Sequence, residues 1–169
     1  MLGSDNPLFI LYLPRLIPLE GLNIADLDRP AQPGELCQVM QSCSNDWRKI
    51  FSTYAKIIHA TLQLNSTWQD YRDKRLLQPG GNSAIEFSST LRLTDFPQAI
   101  HLIGGKSFAK SFEFGQQVLH ALEGDARVHY TGNTYQPQYF DYRSFPNILI
   151  DKLVLHLHAP LAHSNNSDS

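Results

Sequence analysis

The residues best placed to do chemistry form a short glycine-rich stretch, Gly104-Gly105-Lys106-Ser107. It follows an apolar run and precedes a helical pattern, and backbone N–H groups at such a junction can bind an anion together with the Lys106 ammonium. The spacing is not that of a P-loop, which needs a glycine five residues before Gly105, where Ile100 stands. The alternative, which the pattern favours, is a tight turn whose glycines let a strand and a helix approach closely.

A second polar group, Asn133-Thr134-Tyr135, lies in residues 131–137, which have the composition of a polar loop after another strand. If the two preceding strands are neighbours, both groups lie at the carboxyl ends of strands, where open α/β sheets bind ligands. The alternative, again favoured, is an exposed loop. The predicted ligand-binding residues, which would form a small polar pocket for an anionic small molecule or nucleotide, are Gly104, Gly105, Lys106, Ser107, Asn133, Thr134 and Tyr135.

Other reactive side chains lack the partners that catalysis or metal binding requires. Arg143 could clamp a phosphate or carboxylate, although surface ion pairs of Asp141 and Arg143 are the simpler interpretation. No G-x-S-x-G motif is present, so the sequence offers no nucleophilic serine of that kind.

The seven histidines do not show the spacing of metal ligands. His156 and His158 would point apart in a strand or a helix, and His101 and His129 lie in predicted strands without a carboxylate or cysteine partner. The sequence therefore predicts no metal site and no cofactor.

A strand, a turn and a helix must position the glycine-rich stretch. Residues 99–103 are predicted to form a buried strand, and residues 108–122 a helix that ends at Gly124. A helix after a strand implies a crossover to a parallel neighbour. We therefore expect an inner parallel strand that ends at Gly104 and a helix that lies across the sheet.

The remaining pattern adds strands and helices around this unit. The predicted strands are 8–13, 84–88 and 126–130, and the predicted helices are 34–43, 47–62 and 67–77. Residues 148–158 are apolar enough for a helix or a strand, and their length favours a helix. The sequence thus predicts a three-layer α/β fold with a small, mainly parallel sheet of about four strands and helices on both faces.

Length and composition limit the possible partners and location. A chain of 169 residues fits a single domain, predicted as 1–162, with a small polar tail at 163–169 that we expect to be disordered. The net charge of −2 argues against a broad electrostatic interaction with nucleic acid. Cys37 and Cys43 suggest neither a disulfide framework nor a metal cluster, so we expect a reducing cytoplasm. Residues 8–13 are too short for a signal sequence or a membrane span, so no membrane association is expected.

Several stretches carry a likeness to a known family: Asp46-Trp47-Arg48-Lys49-Ile50, Leu76-Leu77 with Gly80, Thr90-Leu91-Arg92-Leu93-Thr94, and the sequence from Pro97 to Ser107. With the order of the elements, they resemble the uracil-DNA glycosylase superfamily, nearest to its mismatch-specific branch. The resemblance implies an α/β fold and, as an alternative function, an enzyme that acts on a nucleobase in DNA.

The places where that family carries its catalytic motifs differ here. After the first strand the chain has Leu13-Pro14-Arg15-Leu16-Ile17-Pro18, without the acid or amide that would position the attacking water. In the late loop, Asn133 is the one counterpart of the family's His- or Asn-containing motif. The departures argue against glycosylase activity.

The sequence therefore favours a non-enzymatic binding or regulatory module, with an anion or nucleotide site at the carboxyl ends of the strands. One alternative is a glycosylase-like enzyme in which Asn133, Asp141 or Ser88 positions the water. Another is a protein-interaction scaffold without a pocket.

Overall fold

The structure is a computed structural model and describes residues 1–14, 28–112, 117–140 and 145–164. Within these ranges the chain forms seven strands and five helices. The strands are β1 (Leu2–Gly3), β2 (Phe9–Tyr12), β3 (Ser83–Glu86), β4 (Ile100–Ile103), β5 (His120–Leu122), β6 (Asp125–Thr131) and β7 (Thr134–Pro137). The helices are α1 (Glu35–Ser42), α2 (Asn45–Thr61), α3 (Trp68–Lys74), α4 (Lys106–Ala109) and α5 (Asn147–Ser164).

The strands form one mixed sheet in the order β1-β3-β2-β4-β7-β6-β5. The inner strands β3, β2, β4 and β7 are parallel, whereas β1 runs antiparallel to β3, and β6 antiparallel to both β7 and β5. The α/β class is confirmed. The prediction of about four mainly parallel strands is wrong, because β1 and β5 are too short to give a clear sequence signal and β7 lies in the predicted polar loop.

Strand β4 occupies the centre of the sheet, as the sequence predicts. Its Ile100 pairs with Phe9 of β2, and its His101 pairs with Thr134 of β7, both in parallel register. Both edges of β4 are therefore paired, and the burial of the consecutive residues His101, Leu102 and Ile103 shows that both of its faces are covered. The expectation that an inner parallel strand ends at Gly104 is confirmed.

The two faces of the sheet carry unequal layers. On one side, which we call the four-helix face, Leu11 and Leu102 belong to one core with buried residues of α1, α2, α3 and α5, such as Trp47 and Phe51. On the other side, the α4 face, Ile10, Tyr12 and Ile103 pack with Ala99, Ala109 and Phe112. Helices lie on both faces, but among the described residues the α4 face has only a helix of four residues.

The predicted helix at 108–122 is wrong. Helix α4 ends at Ala109, and residues 120–122 form β5, which pairs with β6 through the turn Glu123-Gly124. Both turn residues have positive φ, 46° and 72°, as in the two-residue turns that join antiparallel strands. Gly124 is thus a hairpin residue, not a helix cap.

The predicted loop at 131–137 is also wrong, because most of it is β7. Thr131 pairs with Thr134 across a two-residue turn, Gly132-Asn133, so β6 and β7 form a second hairpin. The predicted strand 126–130 exists within β6, although it is antiparallel to its neighbours.

Helix α5 settles the alternative for residues 148–158 in favour of the helix. It is described to Ser164, and the rest of the predicted tail lies outside the described residues. No helix in the described ranges has the length and hydropathy needed to cross a membrane.

Candidate binding cleft

The backbone N–H groups of the glycine-rich turn already donate hydrogen bonds to carbonyl groups of the protein. The N–H group of Gly104 donates to the Tyr12 carbonyl (2.8 Å), that of Gly105 to the Ile103 carbonyl (2.8 Å), and that of Lys106 to the Gln138 carbonyl (2.9 Å). The helix that follows has only four residues, too few to build a strong dipole. The turn itself therefore offers no backbone cradle for an anion at these three groups.

Both glycines have a structural reason. A Cβ on Gly104 would meet the Leu13 side chain and lie 2.8 Å from the Tyr12 carbonyl oxygen. Gly105 has φ of 129°, a conformation that residues with a side chain rarely adopt. The interpretation of a tight turn is therefore confirmed, but the close approach at Gly104 is to the end of β2 and not to the helix.

The structure does not bring the two halves of the predicted pocket together. Thr134 pairs with His101, and Tyr135 with Leu102, so both lie beside the body of β4. Gly104 lies three residues beyond His101, about 10 Å along the strand at about 3.3 Å per residue. Tyr135 also packs into the core on the four-helix face.

Asn133 lies at the opposite end of β4 from the glycines. Its carbonyl accepts from the His101 N–H (2.8 Å), and its side-chain amide donates to the Pro97 carbonyl (3.2 Å). Its role here is to close the exposed turn between β6 and β7.

What the turn does adjoin is the carboxyl end of β7. A cleft of about 350 Å³ opens there on the α4 face, over β6 and the carboxyl end of β7. Three parts of the chain line it: α4 with the residues after it, the segment before β5, and the β6–β7 hairpin. The lining residues are Lys106, Ala109, Lys110, Phe112, Leu119, Ala126, Arg127, His129, Gln136 and Gln138.

The floor of the cleft is a grid of four polar side chains. His129 of β6 pairs directly with Gln136 of β7. One pair further on, the N–H of Gln138 donates to the Arg127 carbonyl (2.7 Å). Because side chains two residues apart on a strand share a face, all four belong to the α4 face.

Positive charge comes from the α4 side. Lys106 and Lys110 are exposed, four residues apart, and hence on one side of a helical turn. Within the described ranges neither ammonium has an ion-pair partner. The lining residues that the structure describes include no carboxylate.

The charge of Arg127 is already balanced. Its Nη2 and Nε donate to Asp125 at 2.7 Å and 2.9 Å, and this pairing holds the pKa of the Asp125 carboxyl far below its usual range. The Lys152 ammonium lies 3.3 Å from the same carboxylate. The two lysines therefore dominate the charge of the cleft.

Two hydrogen-bonding groups on the floor lack partners. The Gln136 Nε2 atom is buried and has no acceptor, and the His129 imidazole makes no hydrogen bond to any described residue. A buried amide left unpaired costs about 1–3 kcal/mol. The floor is therefore suited to form hydrogen bonds with a ligand.

Phe112 and Leu119 add apolar surface to the cleft. The Phe112 ring is held edge-on against Tyr12 and Phe108, with centroids 5.7 Å and 5.0 Å apart. This packing fixes the wall, while Leu119 remains 41% exposed. The cleft thus combines a rigid apolar wall with a polar floor.

Behind Phe112 lies a buried polar chain that the sequence did not suggest. The Tyr12 hydroxyl donates to His101 Nδ1 (2.8 Å), because the Nε2–H of His101 donates to the Phe96 carbonyl (3.1 Å). The Tyr12 oxygen accepts from the Arg92 N–H (3.1 Å). Burial lowers the pKa of His101 and raises that of Tyr12 to about 12, so both side chains are neutral.

The remaining sequence candidates do not converge on a site. Among the described residues no group of three or more His, Cys, Asp or Glu could hold a metal ion. His156 lies against Tyr130, whereas His158 Nε2 bonds the Thr61 carbonyl (2.7 Å). Asp141 and Arg143 lie outside the described residues.

Four floor residues were missed by the sequence analysis, although a signal exists. Arg127 and His129 alternate with Val128, and Gln136 and Gln138 follow after the Gly-Asn turn. Alternation on both sides of such a turn is typical of a β-hairpin with one polar face.

A comparison with protein-family models matches residues 1–158 to DUF6942, a family of unknown function. No curated protein and no solved structure matches the chain. The geometry of the cleft is therefore the basis for a functional argument.

Proposed function

Because the chain belongs to the family of unknown function DUF6942, we propose its function from the cleft: it is a binding module for a small organic anion. The observation that carries the proposal is the pair of exposed lysines, Lys106 and Lys110, on one side of a cleft whose described lining residues include no acid. Of the ligand-binding residues predicted from the sequence, Lys106 lines this cleft. The other lining residues are different from those predicted.

The electrostatics favour one compact anionic group at the lysines. Two unit charges 4 Å apart attract by about 4 kcal/mol at the effective dielectric of a protein surface, before the costs of desolvation and ordering. Phosphate and carboxylate groups both meet this requirement.

The size and the apolar wall favour an anion that carries a larger body. A volume of about 350 Å³ falls within the range of small-molecule sites, about 300–1,000 Å³. Phe112 and Leu119 offer surface that an inorganic ion alone would leave in contact with water.

We propose binding rather than catalysis. No nucleophile or carboxylate among the described lining residues lies beside the imidazole of His129.

The glycosylase-like alternative stays a prediction. Of its three proposed water-positioning residues, Asn133 bonds Pro97, the Ser88 hydroxyl accepts from the Thr90 N–H (3.2 Å), and Asp141 is outside the described residues. The interaction-scaffold alternative also stays a prediction.

Isothermal titration calorimetry with phenyl phosphate, orthophosphate and benzyl alcohol tests the proposal. We expect phenyl phosphate to bind most tightly, and the double variant Lys106→Ala/Lys110→Ala to weaken it at least tenfold. Affinity should also fall with added salt, since the lysines are exposed.

The matched control is Lys74→Ala, which removes one positive charge from α3 on the other side of the sheet. Lys74 is 73% exposed and, among the described residues, pairs with Asp70 alone, so its loss should cost little stability. Equal affinity in the double variant and in this control would disprove the proposed site.

A further inference from the structure

We infer that the body of the bound anion is a nitrogen heterocycle, so that the cleft takes a nucleoside monophosphate. This rests on the proposed function and narrows it to one class of ligand. The inference starts from the floor of the cleft, not from the lysines that define the anion.

His129 and Gln136 present two planar groups side by side. As directly opposed residues on antiparallel strands, their Cβ atoms lie about 4.5–5.5 Å apart. The Gln136 amide nitrogen is buried without an acceptor, and an amide beside an imidazole can both donate and accept. The ring edge of a nucleobase carries both hydrogen-bond acceptors and donors, and so can pair with an amide and an imidazole together.

Ligands without such an edge would leave the floor unsatisfied. A hydrocarbon body cannot form hydrogen bonds with the Gln136 amide and the His129 imidazole. A sugar phosphate that reaches the floor only with hydroxyl groups matches these two planar groups less well. A site whose buried polar groups are built to be paired by a ligand rejects analogues that cannot pair them.

Backbone hydrogen bonds fix the position of α4, which carries the lysines, relative to the floor. The Gln138 carbonyl accepts from Lys106, and the Gln138 N–H donates to Arg127, so one residue joins α4, β7 and β6. A ligand must therefore place its anionic group at the lysines and its ring at the floor in one arrangement. Phosphate at one end and a base at the other describe a mononucleotide.

A nucleic-acid strand fits less well than a mononucleotide. The chain has a net charge of −2, and the cleft offers two lysines that form no ion pair with the described residues and suffice for one phosphate. Strand binding requires charge along a groove that follows several phosphates.

The experiment compares uridine 5′-monophosphate and adenosine 5′-monophosphate with ribose 5-phosphate and orthophosphate by calorimetry at one ionic strength. We expect at least one nucleotide to bind at least tenfold more tightly than ribose 5-phosphate. The variant Gln136→Met, similar in shape but apolar, should weaken that nucleotide about tenfold and leave ribose 5-phosphate unchanged. Gln38→Met, on an exposed position of α1, is the control.

The results separate this inference from the proposal beneath it. Equal affinity for ribose 5-phosphate and both nucleotides, with binding lost in Lys106→Ala/Lys110→Ala, overturns the heterocycle and leaves the anion site intact. Binding of phenyl phosphate but of no nucleotide has the same meaning. If none of the anions binds, both the inference and the proposed function fail.

Discussion

Tyr12 and His101 join the two central strands of the sheet through a hydrogen bond of 2.8 Å between the tyrosine hydroxyl and Nδ1 of the imidazole. Both side chains are fully buried. The Phe96 carbonyl and the Arg92 N–H extend the bond into the segment that covers the α4 face. Each polar group in this series of hydrogen bonds has a partner when the His101 imidazole is neutral. The series therefore stabilises the fold only in that protonation state.

Acid should therefore destabilise the protein through His101. Burial lowers its pKa in the folded state below the ordinary value of 6.5, so below about pH 6.5 the unfolded chain binds a proton that the folded chain excludes. The contribution of His101 to the free energy of unfolding is fully present above that pH. It decreases as the pH falls further, by at most about 1.4 kcal/mol per pH unit. Urea unfolding at pH 7.5, 6.5 and 5.5 measures the slope, and His101→Asn is the comparison. Equal slopes for the two proteins would contradict the prediction.

Removing the Tyr12 hydroxyl should cost stability without creating a large cavity. Tyr12→Phe leaves both Nδ1 of His101 and the Arg92 N–H without their partner, and we expect a loss of about 1–3 kcal/mol. Tyr139→Phe, at a side chain that is 53% exposed, should change the free energy of unfolding by less than about 0.5 kcal/mol. Chemical denaturation of both variants checks the difference, and two equal values would mean that the buried bond contributes nothing.

Gln136→Met should leave the ligand-free protein as stable as the parent or raise its stability by up to about 1 kcal/mol. The reason is that an unpaired buried amide is replaced by an apolar group of similar shape. A gain in stability with a loss of binding is the pattern expected of a residue kept for function. Thermal unfolding without ligand is the measurement, and a marked loss of stability would show that the amide has a structural partner.

Alanine at Gly104 and at Gly124 should destabilise the protein for different reasons. Gly104→Ala places a methyl group against Leu13 and the Tyr12 carbonyl, at a cost of about 1–3 kcal/mol. At Gly124 no atom lies within 4 Å of the added Cβ, so only the positive φ of 72° matters, at about 1–2 kcal/mol. Asparagine, which tolerates positive φ, should recover part of the loss at Gly124 and none at Gly104. Denaturant titrations of the four variants test this, and equal recovery at both positions would contradict it.

The sequence predicted those parts of the fold whose signal is local and long. The apolar stripe of α2 and the apolar run before Gly104 both correspond to elements of the structure. Residues 108–122 misled because Val118 and Leu119 fall at helical spacing, yet they are 68% and 41% exposed. The helical spacing of these two residues therefore does not reflect burial. A single sequence does not distinguish a buried apolar stripe from exposed apolar residues with the same spacing.

The expectation that the two predicted polar stretches lie together was wrong for a related reason. Gly104 to Ser107 were placed correctly at the end of β4, but their partner was expected from the loop after β6. The chain instead turns back at Gly132-Asn133, so the end of β7, not its beginning, reaches Lys106. Strand pairing between distant residues decides which side chains meet, and local pattern does not encode it.

The order of the strands also affects how the protein behaves at high concentration. The sheet ends in β1, with two residues, and β5, with three, so the longer and more apolar strands lie inside. A short outer strand exposes few backbone donors and acceptors on which another chain could extend the sheet. The molecule is thereby protected against edge-to-edge polymerisation, although its central strands have the β-branched and aromatic composition of aggregating peptides.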